Sequence, residues 1–396
     1  MSALKAVIAQ AAASLTTLLL SVVIARTGGT SALGNFAVAM AILMLAQAVA
    51  REATIVTLVT RAPTMQLIRE RCERQSLIGL VASAVMIGGA ALTGSTIMLI
   101  VGVGAHGILL ASYGRLVSLT LWRGRLAIGQ ELLLLTCVLV PAAGSVLWGW
   151  NGQHALTVWV ASSAAVGYLT AWRLRMHLRP RWGGAGRESR VGGVFAAQSL
   201  LTAGSVHVLT IVVAIATGPV VVGALRGAGT VLGPANLILT ALQPVVVRHL
   251  SPLRHGTRRQ MVSRLAGLTG VLAAGYATVA LAMVATALVY GEVLLGSAWV
   301  DVEPIIWISL VDGVLNVLSF VPAAAHRSFW EHRRSSAFAV LAVILRFPLV
   351  LGGAVTAGAK GAALGLAVST GALCVAWWIS AVRLDIAQPR EEDVAG

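Results

Sequence analysis

The sequence predicts an all-α polytopic membrane protein: about twelve transmembrane helices in two six-helix bundles, with both termini cytoplasmic. Three observations lead there. The chain is 58% hydrophobic and 11% charged, with a mean hydropathy of +0.87, whereas a soluble domain is typically about 25% charged. Its apolar runs are long and continuous rather than alternating, which rules out a membrane barrel. Its basic residues crowd into every second gap between those runs, and cytoplasmic loops are where Lys and Arg collect.

Taken in order, helix 1 is expected over 7–25 and a Gly- and Ser-rich turn over 27–33, with helix 2 over 34–60. The N-terminal run is read as an uncleaved first span, since it is longer than a signal-peptide core. The gap 61–75 holds Arg61, Arg69, Arg71 and Arg74 and is placed inside. Helices 3 (76–92) and 4 (96–119) are joined by an uncharged turn at Gly94, and Arg115, Arg123 and Arg125 mark the inside again. Arg115, close to the inner boundary, is read as a topology charge. Helix 5 spans 126–147. A loop with Trp148, Asn151 and His154 but no Arg or Lys leads into helix 6, which runs to Trp172.

The stretch 173–190 is the most basic, with Arg173, Arg175, Arg179, Arg181, Arg187 and Arg190 beside Pro180. It closes an N-terminal bundle (1–180) and supplies a cytoplasmic linker (181–190) to a C-terminal bundle (191–383), followed by a polar tail (384–396). In the second half, helices 7 (191–217) and 8 (220–247) flank an outer Gly218–Pro219 turn. Arg248, Arg254, Arg258, Arg259 and Arg264 place the next loop inside. Helix 9 (265–290) leads to an outer acidic loop with Glu292, Asp301 and Glu303. Helix 10 (304–325) precedes the inner Arg327, Arg333 and Arg334. Helices 11 (336–356) and 12 (361–382) complete the set, and Gly and Ala blur the split between them.

The net charge of +15 is spread over short loops, so no soluble basic domain exists to hold a nucleic acid. Orientation and anionic lipid headgroups account for it. Cys72, on a predicted loop, and Cys137 and Cys374, in predicted spans, are too few and too scattered for a disulfide framework. The eight His show no ligand spacing, and His106 and His207 are read as packing or hydrogen-bonding residues. Trp122, Trp148, Trp150, Trp172, Trp182 and Trp299 fall near predicted interfaces, as in an aromatic belt. No metal motif, phosphate loop or nucleophile elbow stands in a soluble segment, which argues against an enzyme and against a bound cofactor.

A few arginines break the loop pattern and lie in or at the edge of apolar runs: Arg26, Arg51, Arg226 and Arg346. An ionisable residue within the membrane is costly and tends to face a cavity or pathway. Arg51 sits beside Glu52, but adjacent helical residues do not face the same way, so Glu52 need not neutralise it. Polar stripes at helical spacing run through four predicted helices. They join Arg51 with Gln47, Arg226 with Thr230 and Gln243, Gln198 with Thr202 and Ser205, and Asp312 with Asn316 and Ser319. The simplest arrangement turns these stripes toward a shared wet cavity. Arginine suits an anionic headgroup there, because its planar fork donates several hydrogen bonds and stays charged. Snorkelling also explains Arg26, and Asp312 could be a structural partner of Arg346.

The turns Thr27-Gly-Gly-Thr-Ser-Ala-Leu-Gly34 and Ala216-Thr-Gly-Pro-Val-Val-Val-Gly223 each place a Gly at the start of the second helix of a six-helix unit. Many transporters are built from two such repeats, with the substrate between them.

Four further segments, in joint order, resemble the multidrug/oligosaccharidyl-lipid/polysaccharide exporter (MOP) superfamily, and within it the polysaccharide flippase (Wzx-like) branch. They are Ile24-Ala-Arg26 with Ser31-Ala-Leu-Gly-Asn-Phe36; Val222-Gly223-Ala-Leu-Arg-Gly-Ala with Gly233-Pro234-Ala-Asn236 and Gln243-Pro244; Tyr290-Gly-Glu-Val-Leu-Leu-Gly296; and Gly358-Ala-Lys-Gly361-Ala-Ala. The chain departs from the lipid II flippase branch, which has two further helices and a fuller set of first-helix charges. The resemblance implies alternating access around an arginine-lined cavity and a polyprenyl-(di)phosphate-linked oligosaccharide as substrate. It also implies a place in the cytoplasmic membrane, a polysaccharide polymerase as partner, and a Na+ gradient, a H+ gradient or the membrane potential as driver. On this reading Arg51, Arg226 and Arg26 bind the phosphates, while Gln47, Gln198, Thr230, Asn236, Gln243, Asp312 and Asn316 line the cavity. Two alternatives stand beside it: a drug or small-molecule exporter of the same superfamily, which would want acids where only Glu52 is available, and a membrane glycosyltransferase using Asp301 and Glu303.

Overall fold

A computed structural model describes residues 2–54, 65–120, 124–182, 204–236, 242, 246, 249–250, 257–329 and 331–384. Helix is the dominant structure, and no strand occurs among these residues. The α-helices with described bounds are α1 (Ser2–Thr54), α2 (Met65–Thr93), α3 (Thr96–Thr120), α4 (Gly124–Leu147), α5 (Gly152–Arg173), α6 (Gly204–Thr217), α7 (Pro219–Val231), α8 (Arg258–Leu295), α9 (Trp299–Ser328) and α10 (His332–Val382). A single 3-10 turn, Gly296–Ala298, separates α8 from α9.

Seven apolar helical stretches are long enough to cross a bilayer. Three of them, Ile8–Arg51, Arg258–His326 and Arg333–Val382, run to 44, 69 and 50 residues. At 1.5 Å per residue each exceeds the roughly 30 Å hydrocarbon layer about twofold or more. Each is broken near its middle: at Gly29 (φ 70°) in α1, at the 3-10 turn, and at Ala357–Gly358 in α10. The Gly29 break falls inside the expected 27–33 turn. The Ala357–Gly358 break falls in the blurred gap between the expected helices 11 and 12, and its two limbs close into a hairpin. A Cβ on Gly353 would strike the Gly361 carbonyl, and one on Gly361 would strike the Gly353 carbonyl. Such close backbone approach is how helices associate where lipid removes the hydrophobic drive.

The chain separates into two compact units: Met1–Thr230 with Glu292–Val300, and Val231–Gly291 with Asp301–Gly396. In the first, α3 packs between α2 and α5. Gly107 and Gly167 bring the α3 and α5 backbones together. One core cluster here comprises Ile68, Cys72, Leu110, Tyr113, Val117, Ala171 and Met176, and the Tyr113 hydroxyl donates to the Ile68 carbonyl at 2.7 Å. The second unit has a core around Leu250, Met261, Leu265, Val321 and Ala325. Leu92 is 90% exposed and Ile215 81% exposed, as expected of side chains that meet lipid.

The two repeat turns meet inside the first unit. A Cβ on Gly34 would run into the Pro219 carbonyl, and one on Gly223 into the Thr30 carbonyl. The contact is reciprocal, as a pair of related turns would make it.

Four sequence expectations are corrected. The segment from Met65 is helical, so Arg69, Arg71, Cys72 and Arg74 lie on α2 and not in a loop, and Cys72 is buried. The outer acidic loop is absent: Glu292 ends α8, and Asp301 occupies the first turn of α9, where the helix dipole favours an acid. Trp299 is only 4% exposed and belongs to the core. Arg115 is more than a topology charge, because it pairs with Glu131 of α4 at 3.3 Å. The sequence pass missed Glu131, whose burial no single-helix pattern discloses.

Replacing Gly34 or Gly223 by Ala should lower stability by about 1–3 kcal/mol, the cost of overpacking where backbone cannot yield. Gly88→Ala, on α2 with open space at its Cβ, should be neutral or slightly stabilising. Thermal unfolding of the three purified variants, followed by size-exclusion monodispersity, checks this ordering.

Candidate functional site

Arg226 lies on α7 in the first unit. Its Nη2 donates to the Ser21 Oγ of α1 at 3.2 Å. Ser21 can accept because its own hydroxyl proton goes to the Thr17 carbonyl at 2.9 Å. The guanidinium stands 5.8 Å from the centre of the Phe36 ring, and His207 of α6 is within its electrostatic reach. Its Nε is buried with no hydrogen-bond partner, and no carboxylate lies within ion-pair distance among the described residues. A buried cation with a serine and a ring face for company is under-satisfied, and its donors suit an incoming anion.

Thr230, one turn on, is buried and spends its hydroxyl on the Arg226 carbonyl at 2.8 Å. Arg26 is exposed and lies three residues before the α1 break, where its backbone packs under Gly296. Arg51 is exposed near the end of the described part of α1. Gln47, on the same α1 face, donates to the Ser112 Oγ of α3 at 3.1 Å and so ties two helices together. Gln198, Thr202 and Gln243 lie outside the described residues.

The second unit carries its own polar cluster. Asn316 Nδ2 donates to the Asp312 carbonyl at 3.0 Å and to Asp312 Oδ2 at 3.2 Å. The buried Tyr276 of α8 lies against Gly313 and donates to Asn236 Oδ1 at 3.1 Å. Arg346 of α10 makes no ion pair with Asp312 within 4 Å, and its Nε is buried without a hydrogen-bond partner among the described residues. Arg226 in the first unit and Arg346 in the second are thus half-buried arginines, each with a buried Nε that has no hydrogen-bond partner.

Sequence reasoning missed a polar system at the end of α5. Arg74 is fully buried (0% exposed). Its Nε donates to the Trp182 carbonyl at 3.1 Å and its Nη1 to that of Ala53 at 3.4 Å. Ser76 donates to the Leu178 carbonyl at 2.8 Å, and its Oγ lies 2.9 Å from His106 Nε2. With the serine proton so used, His106 donates from Nε2, and Nδ1 accepts from the Tyr168 hydroxyl at 2.8 Å. His106 is therefore a hydrogen-bonding residue, as expected. Residues 174–182, counted by sequence only as a run of positive charge, are strapped onto α2 by these bonds. No pattern within α2 discloses it, because the partners of Arg74 lie 108 and 21 residues away in the chain.

No family model matches the sequence, and no curated protein matches it at a significant level. The structure nevertheless resembles solved transporters over nearly its whole length. An inward-facing multidrug resistance transporter of the MATE family, in the MOP superfamily, superposes with a TM-score of 0.71 at 14% identity, covering 93% of each chain. The lipid II flippase MurJ, in an inward closed conformation, gives 0.67 at 11% identity over 95% of this chain and 87% of its own. A MOP superfamily transporter from Pyrococcus furiosus, whose binding pocket of reverse polarity suggests a different function, gives 0.53 at 13% identity over 97% and 95%. At these identities the likeness is one of fold: the chain folds as these solved transporters do.

Removing the Arg74 side chain should release the strap. In Arg74→Ala, amide hydrogen exchange at Arg181, whose N–H donates to the Glu73 carbonyl at 3.4 Å, is expected to quicken about tenfold or more while α3 exchange stays unchanged.

Proposed function

We propose that this protein is a membrane transporter that flips a polyprenyl-(di)phosphate-linked oligosaccharide across the cell membrane for surface polysaccharide synthesis. The observation that carries the reading is Arg226: a buried guanidinium with no carboxylate beside it among the described residues, held by Ser21 and Phe36. In a low-dielectric setting such a charge attracts an anion strongly and repels a cation. A diphosphate supplies the anion. Hydroxyl and amide groups such as Asn316 and Asn236 supply partners of the kind sugars need.

The fold lends support, since its neighbours are MOP transporters, among them a lipid flippase and one with a pocket of reverse polarity. Ten membrane-length crossings follow if the three long stretches each cross twice, and α6 and α7 add two more. Twelve crossings with both termini on the arginine-rich side is thus the proposed topology, with two six-helix bundles rocking around the site. Arg51 and Arg26 contribute further positive charge along the path. A Na+ gradient, a H+ gradient or the membrane potential drives the cycle, and a polysaccharide polymerase receives the product. Export of small molecules is the alternative within the same fold.

The test is lipid mass spectrometry on cells lacking the protein and complemented with variants. Deletion should accumulate one polyprenyl-linked oligosaccharide. Wild type should clear it, and Arg226→Gln or Arg51→Gln should clear it about tenfold more slowly at equal levels of folded protein. Full activity in both variants would overturn the arginine mechanism. An unchanged lipid profile on deletion would favour small-molecule export. Asp301→Asn with Glu303→Gln should be silent in a transporter, whereas a membrane glycosyltransferase relying on these acids would lose its activity.

A further inference from the structure

The strap encloses something other than the transport path. Past Arg173 the chain stays on the first unit: the Leu174 carbonyl accepts from Arg69 Nε at 3.4 Å, Leu178 from Ser76, and Trp182 from Arg74. The Arg74 guanidinium also lies 5.6 Å from the centre of the Trp182 ring. Met176 is buried in the α2–α3 core. Between this strap and the last turns of α5 is a cavity of about 690 Å³, lined by Tyr168, Trp172, Arg173, Arg175, Met176 and Leu178.

The lining divides by chemistry. Arg173 and Arg175 are exposed, and neither makes an ion pair among the described residues. Met176 and Leu178 are apolar. Tyr168 and Trp172 are exposed amphipathic aromatics (Trp172 76%) at the end of a membrane-length helix, which is where headgroups lie. No Asp or Glu lines the cavity among the described residues. Arg175 holds a left-handed backbone (φ 49°), and no other described non-glycine residue does. That conformation costs free energy and persists only because the bonds on either side of it fix the strap.

We propose that this cavity binds an anionic phospholipid of the leaflet facing the arginine-rich loops. The two guanidiniums share the phosphate, while the aromatics and Met176 side take the glycerol and upper acyl region. Guanidinium matches a phosphate with paired hydrogen bonds, and basic pockets at this depth recognise anionic headgroups. The cavity's size falls in the usual range for such ligands, about 300–1,000 Å³. None of its residues contacts Arg226, so the site does not depend on what the protein transports.

The test uses native mass spectrometry of the full-length protein, released from micelles doped with phosphatidylglycerol or with phosphatidylcholine of the same acyl chains. Wild type should retain phosphatidylglycerol about tenfold better than phosphatidylcholine. The double variant R173Q/R175Q should lose that preference, whereas R259Q/R264Q, an equal loss of exposed charge on α8, should keep it. A photoactivatable phosphatidylglycerol, crosslinked to wild type, should label peptides within 168–178 and needs no substitution. Equal retention of the two lipids, equal loss in both double variants, or labelling only outside 168–178 would each overturn the proposal.

Discussion

In hydrocarbon a peptide group has no water to bond, so an apolar chain must satisfy its backbone within each span. Everything else in this structure is arranged around that constraint. The helices run without interruption until a residue can reverse the chain in a single step. Among the described residues the positive-φ glycines are Gly29, Gly94, Gly149, Gly218, Gly296 and Gly358. Each lies in one of the six turns that the sequence places on the arginine-poor side. Short glycine turns bring successive helices close, and close helices demand small residues at their contacts. The reciprocal seating of Gly34 on Pro219 and Gly223 on Thr30 is the tightest expression of this.

Charge inside such a body must be closed by a partner or left for a ligand. Arg115 is closed: Glu131, only 8% exposed at its side chain, stands 3.3 Å away. Arg74 is closed by backbone carbonyls and becomes a rivet for the strap. Arg226 remains open, with one serine, a ring face and an unused Nε. Their place in the sequence does not tell their fates: Arg74 lies in a basic run, Arg115 near a span's end and Arg226 within an apolar run. What distinguishes them is the group brought opposite by a helix elsewhere in the chain.

The fold shared with these solved transporters appears here at 11–14% identity. That is physically reasonable. Lipid-facing positions accept any apolar side chain, and the packing needs only small residues at the crossings and glycines at the reversals. Few positions are therefore fixed, and family-wide sequence signals stay faint while the backbone arrangement persists. By the same reasoning the fold leaves the cargo open, because cargo is chosen by a handful of polar side chains.

The sequence by itself determined the all-helical membrane class, the turn positions at Gly29, Gly94, Gly218 and the 357–358 break, and the set of arginines that needed explaining. Those features are local: apolar run length, charge alternation and glycine placement are legible one segment at a time. Only the tertiary structure decided that Arg115 is neutralised, that residues 65–75 are helix, and that Trp299 is core. Likewise, Ser76, His106 and Tyr168 form one chain of hydrogen bonds, and the most basic segment folds back as a strap. The Arg115 pair and the Arg74 strap join groups 16 and 108 residues apart across packed helices. A pattern within one helix cannot report which side chain the fold will place against it.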